Sequence, residues 1–164
     1  MITNQIVEYP NNLWKIAEHI SKARTLLSED VYAEGTDKFR GLQEKEISIN
    51  GVIGELIVQW YCKEKHPYKK IKFASLVDLD PQPEPDMIFD DGVTIDIKTI
   101  PINKKHCNIN INSHNNPDKK VDWYWCVNLL SKSTCIFTVY KHGDIYFWEQ
   151  KIGYTEYFSR KVSS

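Results

Sequence analysis

The chain has 164 residues, of which 41% are hydrophobic and 26% charged, and its formal net charge is −1. This length and composition predict a single globular domain with a sizeable core and argue against a disordered protein. No apolar run approaches the roughly 18 residues that a membrane-spanning helix needs, and the N-terminus lacks the basic and apolar regions of a secretory signal. We therefore expect a cytoplasmic protein without a membrane partner. Its four separated cysteines, Cys62, Cys107, Cys126 and Cys135, should be reduced and buried.

The first third of the chain predicts helices and carries no evident chemistry. Residues 1–10 are interpreted as a loose arm that ends at Pro10. Apolar residues recurring three or four apart predict a helix from Asn12 to Leu27, and a weaker helix is predicted within the polar segment that follows. We interpret the chain as one domain with a helical extension over residues 1–46, a core over 47–148 and a tail over 149–164.

A helix predicted from Ile49 to Glu64 is the first informative element. Glu55 is the only charged residue between Ile47 and Cys62, and it lies away from the main apolar stripe of the helix. A partly buried carboxylate requires a partner, because an unpaired buried charge is costly. The partner could be a lysine or arginine, or a metal or lysine contributed by another site.

The segment from Glu84 to Lys98 predicts a hairpin whose turn is Asp90-Asp91-Gly92. A three-residue loop with glycine in the left-handed region gives an alternation with one apolar face. In that register Phe89 opposes Val93 and Asp86 opposes Asp96, whereas a two-residue loop would mix the faces.

On the other face of this hairpin, Asp86, Asp96 and Lys98 come together. Two carboxylates about 4 Å apart repel each other by roughly 4 kcal/mol at an effective dielectric near 20. A divalent cation such as Mg²⁺ would relieve that repulsion, and a neighbouring lysine would complete the equipment for cutting a phosphodiester bond. The alternative is an ordinary solvated strand face on which Lys98 pairs with Glu84.

The remaining segments predict further strands. A short strand is expected within Ile71–Leu79, followed by a loop at residues 81–83. Asparagines alternate with isoleucines from Asn108 to Asn112, which predicts a strand with one amide face. The stretch from His114 to Lys120 is interpreted as a basic loop or short helix.

Two later strands follow from the same alternation. Asp122–Leu129 is apolar on both faces and should be central in its sheet. Thr134–Tyr140 and Ile145–Trp148 are expected to form a second hairpin.

Lysine-rich segments flank the acidic hairpin on both sides, as a metal site facing a phosphate backbone would need. Ordinary solvated loops are the alternative for each flank, and edge strands commonly carry asparagines. The candidate nucleic-acid-binding residues are Lys69, Lys70, Lys104, Lys105, Asn110, His114, Lys119 and Lys120.

The order of a helix with Glu55, Pro85-Asp86 and Asp96-Ile97-Lys98 resembles the PD-(D/E)XK nuclease superfamily, which includes restriction endonucleases and Holliday junction resolvases. The resemblance covers roughly Ile47 to Tyr140, and its second acid is aspartate where glutamate is commoner. It implies an α/β fold with a restriction-endonuclease-like central mixed β-sheet flanked by helices.

The same resemblance implies the roles of the site residues. Asp86, Asp96, the carbonyl of Ile97 and Glu55 would bind Mg²⁺, with Mn²⁺ as a possible substitute. Lys98 would position the attacking water and stabilise charge on the scissile phosphate.

The leading hypothesis is therefore a Mg²⁺-dependent DNA endonuclease, restriction-like or selective for branched DNA, that acts as a homodimer. RNA or a small nucleotide as substrate stays open. The rival hypothesis is a catalytically silent nuclease-like domain that binds nucleic acid or a protein partner.

Overall fold

The structure is a computed structural model that describes residues 4–31, 41–76 and 85–162, with only the backbone helix described for residues 27–31 and 41–48. Within these ranges the chain has a mixed α/β fold. The helices are α1 (Leu13–Val31), α2 (Gly41–Lys65) and α3 (Ile111–Asn115). The strands are β1 (Gln5–Glu8), β2 (Ile71–Phe73), β3 (Met87–Phe89), β4 (Thr94–Ile100), β5 (His106–Asn110), β6 (Trp123–Leu129), β7 (Thr134–Lys141), β8 (Glu149–Ile152) and β9 (Glu156–Lys161).

The main sheet has six strands in the order β1-β7-β6-β4-β3-β2. The pair β4–β6 is parallel and the other neighbours are antiparallel, so the sheet is mixed. The predicted central position of β6 is confirmed, because it pairs with β4 on one side and β7 on the other. Alternate residues of β6 enter two different cores, as its apolar character on both faces predicts: Trp125 and Val127 face one, and Tyr124 and Cys126 face the other.

Different layers cover the two faces of this sheet. Helices α1 and α2 pack on the face that carries Ile95, Ile97 and Phe137. The opposite face is covered by a three-stranded sheet in the order β5-β9-β8, with Ile109 and Phe158 packed towards it. The predicted mixed sheet with flanking helices is thus present, with a small second sheet where a further helical layer would otherwise lie.

Several sequence predictions are confirmed by these elements. The helix expected from Asn12 is α1, and the helix expected from Ile49 is the C-terminal part of α2, which begins earlier at Gly41. The four cysteines are free and buried. In the part of the chain that is described, no helix is both long and apolar enough to cross a membrane.

Three predictions were wrong for identifiable reasons. The expected N-terminal arm contains β1, which pairs with β7, a partner far away in sequence. The strand expected to reach Asn112 ends at Asn110, whose side chain accepts a hydrogen bond from Ser113 N at 3.0 Å and thereby caps α3.

The third error concerns the expected hairpin partner of β7 at Ile145–Trp148. Residues His142–Phe147 form a 3-10 helix instead. Ile145 and Trp148 are both buried and lie three residues apart, which is the repeat of a 3-10 helix. The tail from Glu149 forms β8 and β9.

Some predictions fall outside the described residues. These are residues 32–40 of the segment in which the weaker helix was predicted, the end of the strand predicted to reach Leu79, the loop at residues 81–83 and the alternative partner Glu84. Residues 28–31 and 41–46 of the same segment belong to α1 and α2.

Candidate active site

The β3–β4 hairpin has the loop that the sequence predicts. Phe89 N donates to Val93 O, and Gly92 N donates to Phe89 O, both at 2.9 Å. Gly92 has φ +85°, the left-handed conformation in which a side chain would be strained. Met87 pairs with Ile95, so the same register extended by one residue places Asp86 opposite Asp96.

Asp86 lies where β3 stops pairing with β4. Its backbone carbonyl still accepts from Ala74 N at 2.9 Å, which holds it to the segment that follows β2. Its carboxylate Oδ2 accepts from Ile97 N at 2.6 Å and takes the place of a strand partner for β4. This charge-assisted bond fixes the carboxylate at the opening between the two strands.

Lys98 and Asp96 form the shortest ion pair of the site, with Nζ and Oδ2 2.6 Å apart. Their side chains keep 36% and 28% of their surface exposed, so solvent reaches both. Burial favours the neutral amine, but the carboxylates of Asp96 and Asp86 outweigh it and raise the pKa of Lys98. Lys98 is therefore a fixed positive charge at neutral pH.

Helix α2 brings Glu55 to this opening because Gly54 packs directly on β4. A Cβ at Gly54 would overlap the hydroxyl of Thr99, so only glycine permits this approach. Glu55 follows Gly54 in sequence, and its side chain is 17% exposed. The close contact of helix and strand thus sets the position of the third acid.

The three acids form one electrostatic cluster. Burial and the carboxylates of Asp86 and Asp96 raise the pKa of Glu55 to about 7, against the attraction of Arg24 and Lys98. Burial and Asp96 raise the pKa of Asp86 to about 6, although the Ile97 amide and nearby cations lower it. The cluster therefore carries more negative charge than its surroundings stabilise.

Arg24 of α1 is a member of this cluster that the sequence did not predict. Its Nη2 lies 3.9 Å from Glu55 Oε2, and its Nε donates to the carbonyl of Leu76. Its charge also lowers the pKa of Asp86. The sequence left two kinds of partner open for Glu55, a basic side chain or the hairpin site. In the structure Glu55 interacts with both.

The donor chemistry of the site fits a hard divalent cation. Asp86, Asp96 and Glu55 supply carboxylate oxygens, the ligands that Mg²⁺ prefers. Burial first, and the neighbouring carboxylates second, raise the pKa of Glu55 and of Asp86. Among the described residues, however, no group of three His, Cys, Asp or Glu side chains has the spacing of a metal site. Asp86 and Asp96 face each other in the register of the hairpin, and their charges act on Glu55.

A second polar chain leads away from the site across the same sheet face. Tyr124 of β6 is the register partner of Asp96, and its hydroxyl lies 2.7 Å from His114 Nδ1. Of the two alternatives predicted for His114–Lys120, a basic loop or a short helix, the structure has short helices, and His114 on α3 is only 2% exposed. Burial and the adjacent His142 lower the pKa of His114 to about 4, which leaves it neutral at pH 7.

The other candidate nucleic-acid-binding residues differ in exposure. Six lysines are solvent-exposed: Lys69, Lys70, Lys104, Lys105, Lys119 and Lys120. Asn110 is half-buried and uses both ends of its amide within the protein, on Ser113 N and on Thr155 Oγ1. The exposed lysines can therefore contact nucleic acid directly, whereas the side chains of Asn110 and His114 bond to other residues of the protein.

Comparisons of the chain with protein-family models, with curated proteins and with solved structures found no match. The functional argument consequently depends on the site itself.

Proposed function

We propose that the protein is a metal-dependent DNA endonuclease with a restriction-endonuclease-like fold. The observation that carries the proposal is the grouping of Asp86, Asp96 and Glu55 around Lys98 at one opening of the sheet. Hydrolysis of a phosphodiester needs a water that can lose a proton and a positive charge beside the phosphate. This group of side chains contains the residues for both tasks.

Asp86 and Asp96 would hold Mg²⁺ or Mn²⁺, with the Ile97 carbonyl as a further donor. When bound, such an ion polarises the phosphate and lowers the pKa of a coordinated water. The ammonium of Lys98, held by Asp96, stabilises the negative charge that grows on the scissile phosphate. Glu55 supplies a further carboxylate that could accept the proton of the attacking water.

Cleavage of supercoiled plasmid, linear duplex and a four-way junction, with and without Mg²⁺, tests the proposal. Asp96→Asn removes a carboxylate that would hold the cation, and Lys98→Met removes the positive charge at the phosphate, so each should reduce cleavage by about a hundredfold or more. Asp90→Asn, in the exposed turn, and Lys132→Met, also exposed, are matched controls that should cut like the parent. If the site variants cut as well as the parent, the assignment of the site is wrong.

A catalytically silent domain that binds nucleic acid is the second candidate. It is favoured by the pairing of Lys98 with Asp96 and of Arg24 with Glu55, which are the contacts of a structural charge network. Binding of DNA without Mg²⁺-dependent cleavage of DNA, RNA or small phosphodiesters would establish this function instead.

One site per chain also favours a homodimer, because cutting both strands of a duplex is simplest with two chains. Light scattering after gel filtration, with and without DNA, measures the mass. A monomer in the complex that cuts both strands would exclude this arrangement.

A further inference from the structure

A cavity of about 590 Å³ opens where β6 begins and β7 ends, and nothing in the proposed hydrolysis uses it. Its wall includes Trp123, His142, Tyr146, Lys120 and Lys141. The volume lies in the range of small-molecule and nucleotide sites. The lining thus combines flat rings with two positive charges.

Three rings of this cavity, those of His114, His142 and Tyr146, form one connected group. His142 stacks on His114, with ring centroids 3.9 Å apart and an angle of 17° between the planes. Tyr146 packs edge-on against both, at 4.6 Å from His114 and 5.9 Å from His142, and half of its surface is exposed. The buried histidine therefore serves as a base on which the outer rings are fixed.

The charges of the cavity are available to an anion. Lys120 is exposed, and Lys141 lies with its Nζ 5.5 Å from the ring centroid of Trp123. The one acid in the lining, Asp122, already accepts from Thr94 N at 2.9 Å and from Thr94 Oγ1 at 3.0 Å. Two lysines outnumber one acid, so the net charge of the cavity lining is positive.

Asp96 of the active site and the wall of the cavity lie on the same face of the main sheet. Tyr124 stands beside Asp96 in the register of β4 and β6, and its hydroxyl contacts His114 of the cavity wall at 2.7 Å. The side chain of Tyr124 therefore links Asp96 of the active site to the wall of the cavity.

We propose that this cavity binds one unpaired nucleotide of the substrate strand, with its base stacked on the ring group and its phosphates at Lys120 and Lys141. The inference depends on the proposed function and deepens it, because it names nucleic acid with an unpaired nucleotide as the preferred substrate. Aromatic faces beside a positive groove are the features by which proteins bind single strands without reading base edges. A fully paired duplex keeps its bases stacked inside and cannot offer one to the cavity.

Binding measured by fluorescence anisotropy in EDTA, where no metal-dependent cleavage occurs, tests the proposal. The probes are a labelled duplex, the same duplex with one bulged nucleotide, and the single strand. The bulged duplex should bind about tenfold more tightly than the perfect one, as expected for one stacked base. A 2-aminopurine at the bulge should lose fluorescence on binding, since stacking on the rings quenches it.

Tyr146→Ala and Lys120→Gln should each remove most of this preference and, for Tyr146→Ala, the quenching. Both residues are exposed, and a thermal melt verifies that each variant is folded. Tyr154→Ala, a tyrosine that is 85% exposed and outside the cavity, and Lys15→Gln, an exposed lysine on α1, are the matched controls.

Equal affinity for the perfect and bulged duplexes would overturn the inference, as would a preference that survives both variants. A free mononucleotide that binds as tightly as the bulged duplex would also overturn it, in favour of a separate nucleotide site. Mg²⁺-dependent cleavage of perfect duplex is measured in parallel. If that cleavage is intact while the preference is absent, the inference fails and the proposed function stands.

Discussion

Glu55→Gln is expected to stabilise the metal-free protein at alkaline pH. Burial and the carboxylates of Asp86 and Asp96 raise the pKa of Glu55 from 4.5 to about 7. Each pKa unit corresponds to about 1.36 kcal/mol, so ionised Glu55 costs the folded state up to roughly 3 kcal/mol. Glutamine keeps the size of the side chain and removes this cost.

The effect of Glu55→Gln on the free energy of unfolding depends on pH. Below about pH 4.5, Glu55 is protonated in both the folded and the unfolded chain, so its charge contributes nothing to stability. As the pH rises, the unfolded chain loses its proton first, and the free energy of unfolding of the parent falls until about pH 7. The advantage of Glu55→Gln should therefore grow from near zero to about 2 to 3 kcal/mol, the lower value allowing for residual contact with solvent.

Urea unfolding in EDTA, followed by tryptophan fluorescence at about pH 5 and about pH 8, measures this difference. Glu64→Gln, an exposed glutamate on the same helix, is the control and should change stability little at either pH. The same gain at both pH values, or none at alkaline pH, would refute the electrostatic account of the site. If Glu55 supports a bound cation, Mg²⁺ should stabilise the parent more than Glu55→Gln at about pH 8.

Three further predictions concern the elements that build the site. Gly54→Ala should destabilise the protein by about 1 to 3 kcal/mol, because the added Cβ would overlap Thr99 of β4. Gly51→Ala, in open space on the same helix, should stabilise it by about 0.5 to 1 kcal/mol through helix propensity. Denaturant titration of the two variants measures both effects. Gly92→Ala should lower stability by about 1 to 2 kcal/mol because Gly92 has a positive φ, and Gly92→Asn should lower it less. Thermal melts compare the two variants with the parent, and three equal melting temperatures would contradict the turn geometry. Arg24→Gln should lower stability at about pH 8 by about 1 kcal/mol, since it removes the cation paired with Glu55. Denaturant curves that coincide with those of the parent would show that Arg24 does not stabilise the acids of the site.

Local pattern was sufficient for the hairpin. The alternation of Met87, Phe89, Val93 and Ile95 allows only one loop length if the apolar residues are to share a face, and Gly92 supplies the required conformation. The placement of Asp96 and Lys98 on the opposite face follows directly. The same reasoning placed β6 at the centre of the sheet, since a strand that is apolar on both faces needs cover on both.

Local pattern misled where two periodicities compete. Ile145 and Trp148 fit the end of a strand as well as one turn of a 3-10 helix, and only the packing of the segment against β7 and β9 selects the helix. Asn110 fits an amide-bearing strand and a helix cap equally, and the cap wins because it satisfies the amide of Ser113.

The hairpin, its register and the isolation of Glu55 on an otherwise uncharged helical segment follow from the amino-acid pattern, because each depends on neighbours a few residues away. The contact of Arg24 with Glu55 and the link from Asp96 through Tyr124 to a buried His114 follow from the packing of distant elements. These contacts join residues from different elements, and their positions depend on how helices and strands pack, including the close approach at Gly54. The acids of the site and Lys98 could be read from pattern, whereas the position of Arg24 and the cavity depend on packing.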